Sequence, residues 1–279
     1  METLNNAFDL YVCDLNRREK KTVSSIERAW HRHIKDSIGG KNIKRIKHDQ
    51  VNDWFYQVSK SGKGIANRCL TILKCTYNTA IRYEMIDQNP CAFIKRHPDI
   101  QRKRYCNEDE LKRIFDVMDR KRNQTNQKHI DFIKLLIYTG CRKGELASAK
   151  WDDLYDNQII LRQHKTDNKD GLRVIHLNNQ AMQIVSRLER KSSDLMQSKY
   201  PDKFWLQVRE EAGVPDLRIH DLRHSFASLG LKAELSLQEI GNLLGHKSIN
   251  STMRYAHVMD ETAKENVNDV GDQIFKSIH

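Results

Sequence analysis

Residues 218–255 read RIHDLRHSFASLGLKAELSLQEIGNLLGHKSINSTMRY, and this stretch decides the fold because its helices carry clear start and stop signals. Ser236 and Glu239 form the SxxE pattern in which each side chain satisfies the other's backbone N–H at a helix start, and the apolar run LQEIGNLL follows. Gly245 stands where a helix end favours a left-handed residue, and a further helix is expected after Ser248. Upstream, His220 and Arg223 are three residues apart, which on a helix puts both on one face about one turn from each other. His246 follows Gly245, and Tyr255 comes nine positions later. Brought together, these four side chains offer a cation, two imidazoles and a phenol. That set suits phosphate handling rather than metal binding or redox chemistry.

Working outward, the chain is 279 residues long with 38% hydrophobic residues, enough for real cores and for two domains. Its 48 Lys and Arg against 37 Asp and Glu give a net charge of +11, spread along the chain rather than gathered in a tail. A basic surface distributed over folded elements points to a polyanion partner, most often nucleic acid. The six cysteines show no CxxC pair and no Cys/His ligand spacing, so neither a zinc site nor a disulfide framework is signalled. They read as free thiols in a reducing cytosol. With no signal peptide and no apolar run near the roughly 20 residues of a membrane helix, a cytoplasmic protein is expected, with no membrane partner.

Before the opening stretch, the apolar residues Leu4, Ala7, Phe8, Tyr11 and Leu15 recur at helical spacing. Ser24 or Ser25 is the expected cap of a second helix carrying Ile26, Trp30 and Ile34, closed by Gly39 and Gly40. Asp49 is the expected cap of a third, with Val51, Trp54, Phe55 and Val58. A long fourth helix carries Ile65, Cys69, Ile72, Leu73, Tyr77, Ala80 and Ile81, and runs until Asn89 and Pro90 stop it. Residues 1–95 thus read as an all-α unit with Lys and Arg on its polar faces. The basic, proline-containing run at 96–104 reads as a linker, and a second domain spans 105–279.

Asn107 and Glu110 make an NxxE start for the helix bearing Leu111, Ile114, Phe115 and Met118. His129 to Tyr138 is strongly apolar, and the TG of TGCRKGEL breaks it before a helix containing Arg142 and Glu145 at i, i+3 spacing. Gln158 to Arg162 and Leu172 to Leu177 alternate like strands, with DNKDG supplying hairpin turn chemistry and Lys165 near the tip. Helices are expected at 179–191 and 202–212, and a terminal helix over 260–277 carries Val267, Val270, Ile274 and Phe275 on one side, to pack on its own domain or on a neighbouring subunit. The expected fold is mainly α with a small β-hairpin or sheet.

Tyrosine is a poor nucleophile at its ordinary pKa of about 10, so using one requires a nearby base or a strong positive field. His220, His246, Arg142 and Arg223 can supply both. During attack on a DNA phosphodiester, charge builds on the non-bridging oxygens, and two guanidinium forks match that geometry. The leaving 5′ oxygen needs a proton, which Lys165 can provide if neighbouring arginines lower its pKa. Such chemistry needs no metal or cofactor.

The motifs TGCRKGEL, HKT, HDLRH, LGH and MRYAH occur in the order and spacing of the tyrosine recombinases, in particular their phage integrase branch. The chain resembles that family over about residues 105–260, and more loosely before them. The resemblance implies that Arg142 is the first catalytic arginine, that Lys165 is the general acid on the β-hairpin, and that His220 and Arg223 are the HxxR pair. By the same resemblance His246 fills the second histidine position, Tyr255 is the covalent nucleophile, and Glu145 orients the first arginine. It further implies a helical core-binding domain and an α+β catalytic domain forming a clamp on double-stranded DNA recombination sites. Strands would be cleaved to a 3′-phosphotyrosine and a free 5′-hydroxyl, then rejoined in a four-subunit synapse, with room for accessory DNA-bending proteins. Many phage integrases carry a further N-terminal arm-binding domain, whereas this sequence starts almost directly at the helical domain.

Two other classes compete. The segment LQEIGNLLGHKSINSTMRYA has a helix-turn-helix outline, as in a non-catalytic DNA-binding protein, but such a protein has no need of Arg142 and Lys165. A type IB topoisomerase shares the tyrosine chemistry and differs in lacking site specificity and synapsis. Lys169, in the same hairpin, rivals Lys165. His224, His257, His31 and His33 read as ordinary surface or packing histidines. Either His220 or His246 can accept the tyrosine proton.

Overall fold

The helical periodicity of the first part of the chain appears in a computed structural model as four helices: α1 (Leu4–Arg17), α2 (Val23–His33), α3 (His48–Ser59) and α4 (Lys63–Arg82). The structure describes residues 2–20, 22–99, 102, 104–162, 172–246, 248–256 and 274–277. The chain divides into two units, Met1–Gln101 and Arg102–His279.

The core of the first unit forms where the apolar stripes meet, with Leu4, Phe8, Trp30, Leu70, Leu73 and Tyr77 all buried. Phe8 stacks on Trp30 with ring centroids 3.9 Å apart, and the indole N–H donates to Asn5 Oδ1 at 3.1 Å. Three expected boundaries shift. Thr22, not a serine, stands at the start of α2, because Ser25 already lies in the first turn and its Oγ donates back to the Thr22 carbonyl at 2.9 Å. Lys47 precedes α3, and its N–H donates to Gln50 Oε1 at 3.1 Å, while Asp49 sits in the first turn where its charge suits the helix dipole. The fourth helix stops at Arg82, since Glu84 takes a left-handed φ of 56°. Asn89 then turns back on that helix and donates to the Lys74 carbonyl at 3.2 Å. At the other end of α4, Ile65 is 42% exposed and lies off the buried stripe.

In the second unit, α5 (Glu108–Arg120) opens with the expected reciprocal cap: Glu110 N–H donates to Asn107 Oδ1 at 2.8 Å, and Asn107 N–H donates to Glu110 Oε2 at 3.0 Å. Arg104, read from sequence as part of a linker, pairs through Nη1 and Nη2 with Glu110 at 2.8 Å and through Nε with Asp216 at 2.9 Å. The central element is α6 (Gln127–Thr139), buried on nearly all sides over Ile130–Leu136 because it lies between two layers. Phe132, Leu135 and Leu136 pack towards α7 (Lys143–Ser148) and the sheet, whereas Ile130 and Ile133 pack with α5 and α9 (Asp202–Glu211). Full burial of a side chain such as Phe132 contributes about 1.5–3 kcal/mol.

The sheet has three antiparallel strands, β1 (Leu154–Tyr155), β2 (Gln158–Leu161) and β3 (Arg173–His176), in the order β1-β2-β3. Two residues are too few for an alternating pattern, so β1 was not legible in the sequence. The last pair in the β2–β3 register is Leu161 with Arg173. The hairpin tip, with Lys165, Lys169 and DNKDG, lies outside the described residues. After α8 (Asn179–Val185), shorter than expected, the chain reaches α10 (Asp221–Lys232), α11 (Leu237–Leu244), α12 (Ile249–Thr252) and a 3-10 turn over Met253–Tyr255. The fold is mainly α with one small sheet. Of the expected terminal helix only 274–277 is described; it is helical, with Ile274 and Phe275 exposed. Among the described residues no helix is long and apolar enough to cross a membrane.

Candidate active site

The site grows from the end of α6. Gly140 takes a left-handed φ of 61°, and a Cβ built there would lie 2.5 Å from the Phe226 ring, so only glycine lets the chain turn this close to α10. Two residues later Arg142 stands at the start of α7, as its cap rather than on its face. Glu145 folds back on it twice: its Oε2 accepts the Arg142 backbone N–H at 3.0 Å and its Oε1 accepts Nη1 at 2.6 Å. The Arg142 side chain remains 34% exposed while that of Glu145 is 2% exposed, so the carboxylate anchors a guanidinium that still reaches solvent.

Arg223, from α10, is buried. Its Nη1 donates to the Gly140 carbonyl at 2.8 Å and its Nη2 to the Leu244 carbonyl at 2.7 Å. It therefore ties the end of α6 to the end of α11. A guanidinium has five N–H donors, and among the described residues these two carbonyls take two of them. Burial, helped by the nearby charge of Arg142 and opposed by Glu145, pushes the Arg223 guanidinium down to about 10, still charged at neutral pH. Burial would raise the Glu145 carboxyl, but the Arg173 charge, with the backbone N–H and guanidinium of Arg142, holds it below the ordinary carboxylate range.

The end of α11 carries the next group. Its reciprocal Ser236–Glu239 cap forms as read, with Glu239 N–H donating to Ser236 Oγ at 3.2 Å, and Gly245 takes a φ of 65°. His246 N–H donates to the Gly241 carbonyl at 2.9 Å, and its Nδ1 shares a 2.8 Å hydrogen bond with Thr252 Oγ1. Tyr255 is 4% exposed and packs with Ala227, Leu231, Ile240 and Leu244. His220 stands just before α10 as its cap and is exposed. The Lys165 position lies outside the described residues.

The structure thus brings Arg142, Glu145, Arg223, His246 and Tyr255 around the facing ends of α6, α10 and α11. Two residues not singled out from sequence join them. His224, read as an ordinary histidine, shares a 2.7 Å hydrogen bond with the Tyr255 hydroxyl through Nδ1, and its ring meets that of His220 edge-on at 5.2 Å. The signal was its i, i+4 spacing from His220. Arg173 is buried and donates through Nε to Glu145 Oε2 at 3.4 Å. The signal there was an arginine alternating in register with Ile175 and Leu177, both buried. Three guanidinium groups around one carboxylate leave the site with a surplus of positive charge, which suits a phosphodiester. Among the described residues no group of three or more His, Cys, Asp or Glu side chains is placed to hold a metal ion.

A model of the phage integrase family matches residues 104–262. The chain is 23% identical to the ICEBs1 integrase of Bacillus subtilis, over 87% of its own length and 75% of that protein's. It is 24% identical to a tyrosine recombinase of Thermosipho africanus, over 94% and 97% of the two chains. Its fold is similar to that of a lambda integrase dimer bound to a COC′ core site, with a TM-score of 0.74 and 18% identity over 91% of this chain and 77% of that one. It is likewise similar to the Tn1549 transposon integrase in complex with transposon right end DNA, with a TM-score of 0.71 and 21% identity over 97% and 100%.

Proposed function

The chain belongs to the phage integrase family, and from that membership we propose how its side chains divide the work of cutting and rejoining DNA. It is a tyrosine recombinase, an enzyme that breaks and rejoins DNA strands at specific sites. In our reading the Tyr255 oxygen attacks the scissile phosphorus, forming the tyrosyl–phosphorus bond as the bond from phosphorus to the 5′ oxygen breaks. The phenolic proton passes to an imidazole, His220 or His246, and Lys165 protonates the departing 5′ oxygen. Arg142 and Arg223 receive the charge that builds on the non-bridging oxygens, Arg142 being oriented by Glu145. A partner 5′-hydroxyl then reverses the step on the 3′-phosphotyrosine, so no external energy source is needed.

The observation that carries this reading is the pair of bonds from Arg223 to the carbonyls of Gly140 and Leu244. They draw the segment of Arg142 and the segment of His246 to one buried cation. By analogy with the ICEBs1 integrase and the Tn1549 transposon integrase, the reaction serves integration and excision of a mobile element. The partner is double-stranded DNA in the cytoplasm, bound at recombination sites by several copies of the chain. A lambda integrase tetramer bound to a Holliday junction is a fold relative that supports four, and accessory DNA-bending proteins fit the same scheme.

The test is covalent capture on nicked suicide duplexes taken from the DNA flanking the chain's own gene. The native chain forms a protein–DNA adduct that survives denaturation; Tyr255→Phe binds the same duplexes and forms none. An adduct that persists in Tyr255→Phe, or none with the native chain on any duplex, defeats the reading. The second outcome would leave a non-catalytic DNA-binding protein.

A further inference from the structure

We propose that Arg173 is a positioning residue of this site, fixing Arg142 through Glu145 and His246 through the end of α11. The inference rests on the roles given above to Arg142 and His246. Arg173 begins β3 and pairs with Leu161 of β2. Its side chain is 8% exposed, so it does not reach for a phosphate itself. Instead its fork is spread over three acceptors: Nε donates to Glu145 Oε2, Nη1 to its neighbour's carbonyl at Val174, and Nη2 to the Leu243 carbonyl at 3.1 Å.

The last carbonyls of a helix lack partners within it and carry the negative end of its dipole. Here two consecutive ones, Leu243 and Leu244, are held by two guanidinium groups from different elements, Arg173 and Arg223. The contact is close. A Cβ built on Gly245 would lie 2.7 Å from Nε, Cζ and Nη1 of Arg173, so the turn that delivers His246 lies directly against the guanidinium. One side chain therefore touches the carboxylate that orients Arg142 and the turn that precedes His246. A buried ion pair is a weak stabiliser, because desolvation offsets most of the attraction, and an apolar side chain of similar size often stabilises as well. What an apolar side chain cannot do is fix three acceptors in one plane. Lysine cannot do so either, since its ammonium is a point charge without the planar fork.

Arg173→Lys keeps a charge beside Glu145 and loses the fork. Its single-turnover rate of covalent complex formation on the suicide duplexes is expected to fall by roughly 10- to 100-fold, as a small misplacement of reacting groups does. Its Kd for those duplexes should stay within about threefold, because loss of transition-state geometry leaves ground-state binding in place. Combined with Glu145→Gln, the loss should be smaller than the product of the two single losses, since one of the two routes from Arg173 runs through Glu145. If Arg173→Lys does not fold, Arg173→Gln, whose amide can donate to only some of the three acceptors, should give the same split between rate and Kd. Unchanged cleavage by whichever variant folds, or losses that multiply with Glu145→Gln, overturns the proposal. Because the native chain is run on the same duplexes, absence of any native adduct points to the broader reading failing, and an unimpaired variant beside a normal native adduct points to this inference alone.

Discussion

His224 and Tyr255 meet inside the second unit, imidazole Nδ1 to phenol oxygen at 2.7 Å, with both side chains buried. A buried hydrogen bond between neutral groups contributes about 1 kcal/mol net. The two residues should therefore be coupled. In a double-mutant cycle of His224→Phe and Tyr255→Phe, the doubly substituted chain should lose about 1 kcal/mol less than the sum of the single losses. Hydrogen exchange of the α10 and α11 amides reads that sum locally. Strict additivity would mean that the contact does not bind the two groups to each other.

Glu145 gives a pH dependence whose sign follows from its surroundings. Despite burial, the neighbouring arginines hold its carboxyl below the ordinary range. Because it titrates lower in the folded chain than in the unfolded one, its ionisation stabilises the fold fully above the ordinary carboxylate pKa of about 4.3. That contribution is lost as pH falls through the folded value. Glu145→Gln leaves Arg173 buried without its counter-charge and should destabilise the second unit by about 3 kcal/mol at pH 7. The gap between native and variant chains should shrink as pH drops below about 4. A gap that is constant from pH 7 to pH 3 would show that the carboxylate charge is not what matters.

What could be read from the sequence was local. The Asn107–Glu110 and Ser236–Glu239 caps and the left-handed Gly245 are set within a few residues of chain, and they form as read. The long apolar run of α6 was equally plain, because burial between two layers needs no special spacing. The starts of α2 and α3 moved because neither rests on a side-chain cap: Thr22 and Lys47 make no such bond, and the polar residues read as caps, Ser24, Ser25 and Asp49, already lie inside the first turn. Of the site, Arg142, Arg223, His246 and Tyr255 were visible as residue types at motif spacing, and the structure gathers them. His224 and Arg173 were missed for a different reason. A histidine among five residues of HDLRH and an arginine on a short strand have ordinary surface readings, and only tertiary contacts bring one to a phenol and the other to a carboxylate and a helix end.

Gly140 tests the backbone rather than the chemistry. Alanine there must adopt a φ of 61° and place its Cβ 2.5 Å from the Phe226 ring and 2.9 Å from Leu244 Cδ2. The left-handed conformation costs about 1–3 kcal/mol and overpacking a similar amount. Gly140→Ala should therefore lower stability by about 2–4 kcal/mol and loosen the carbonyl that Arg223 holds. Thermal unfolding of the native and variant chains side by side measures this, and equal midpoints would show that the turn can relax.

Arg142 and Arg223 are predicted to fail in the same reaction for different structural reasons. Loss of a preorganised group that stabilises transition-state charge costs on the order of 100-fold or more. Both Arg142→Ala and Arg223→Ala should lower the rate of covalent complex formation by at least that much. Their effects on the fold should part. Arg142 is partly exposed, and Glu145 keeps Arg173 as a partner when it is gone, so stability should change by less than about 1 kcal/mol. Arg223 is buried and holds the carbonyls of Gly140 and Leu244, so its removal strips partners from two helix ends and should cost about 1–3 kcal/mol. Arg223→Lys should recover part of that stability by reaching one carbonyl, yet little of the rate, because the fork is lost. A full recovery of rate in Arg223→Lys would show that only the charge, and not the geometry of the guanidinium, serves the phosphate.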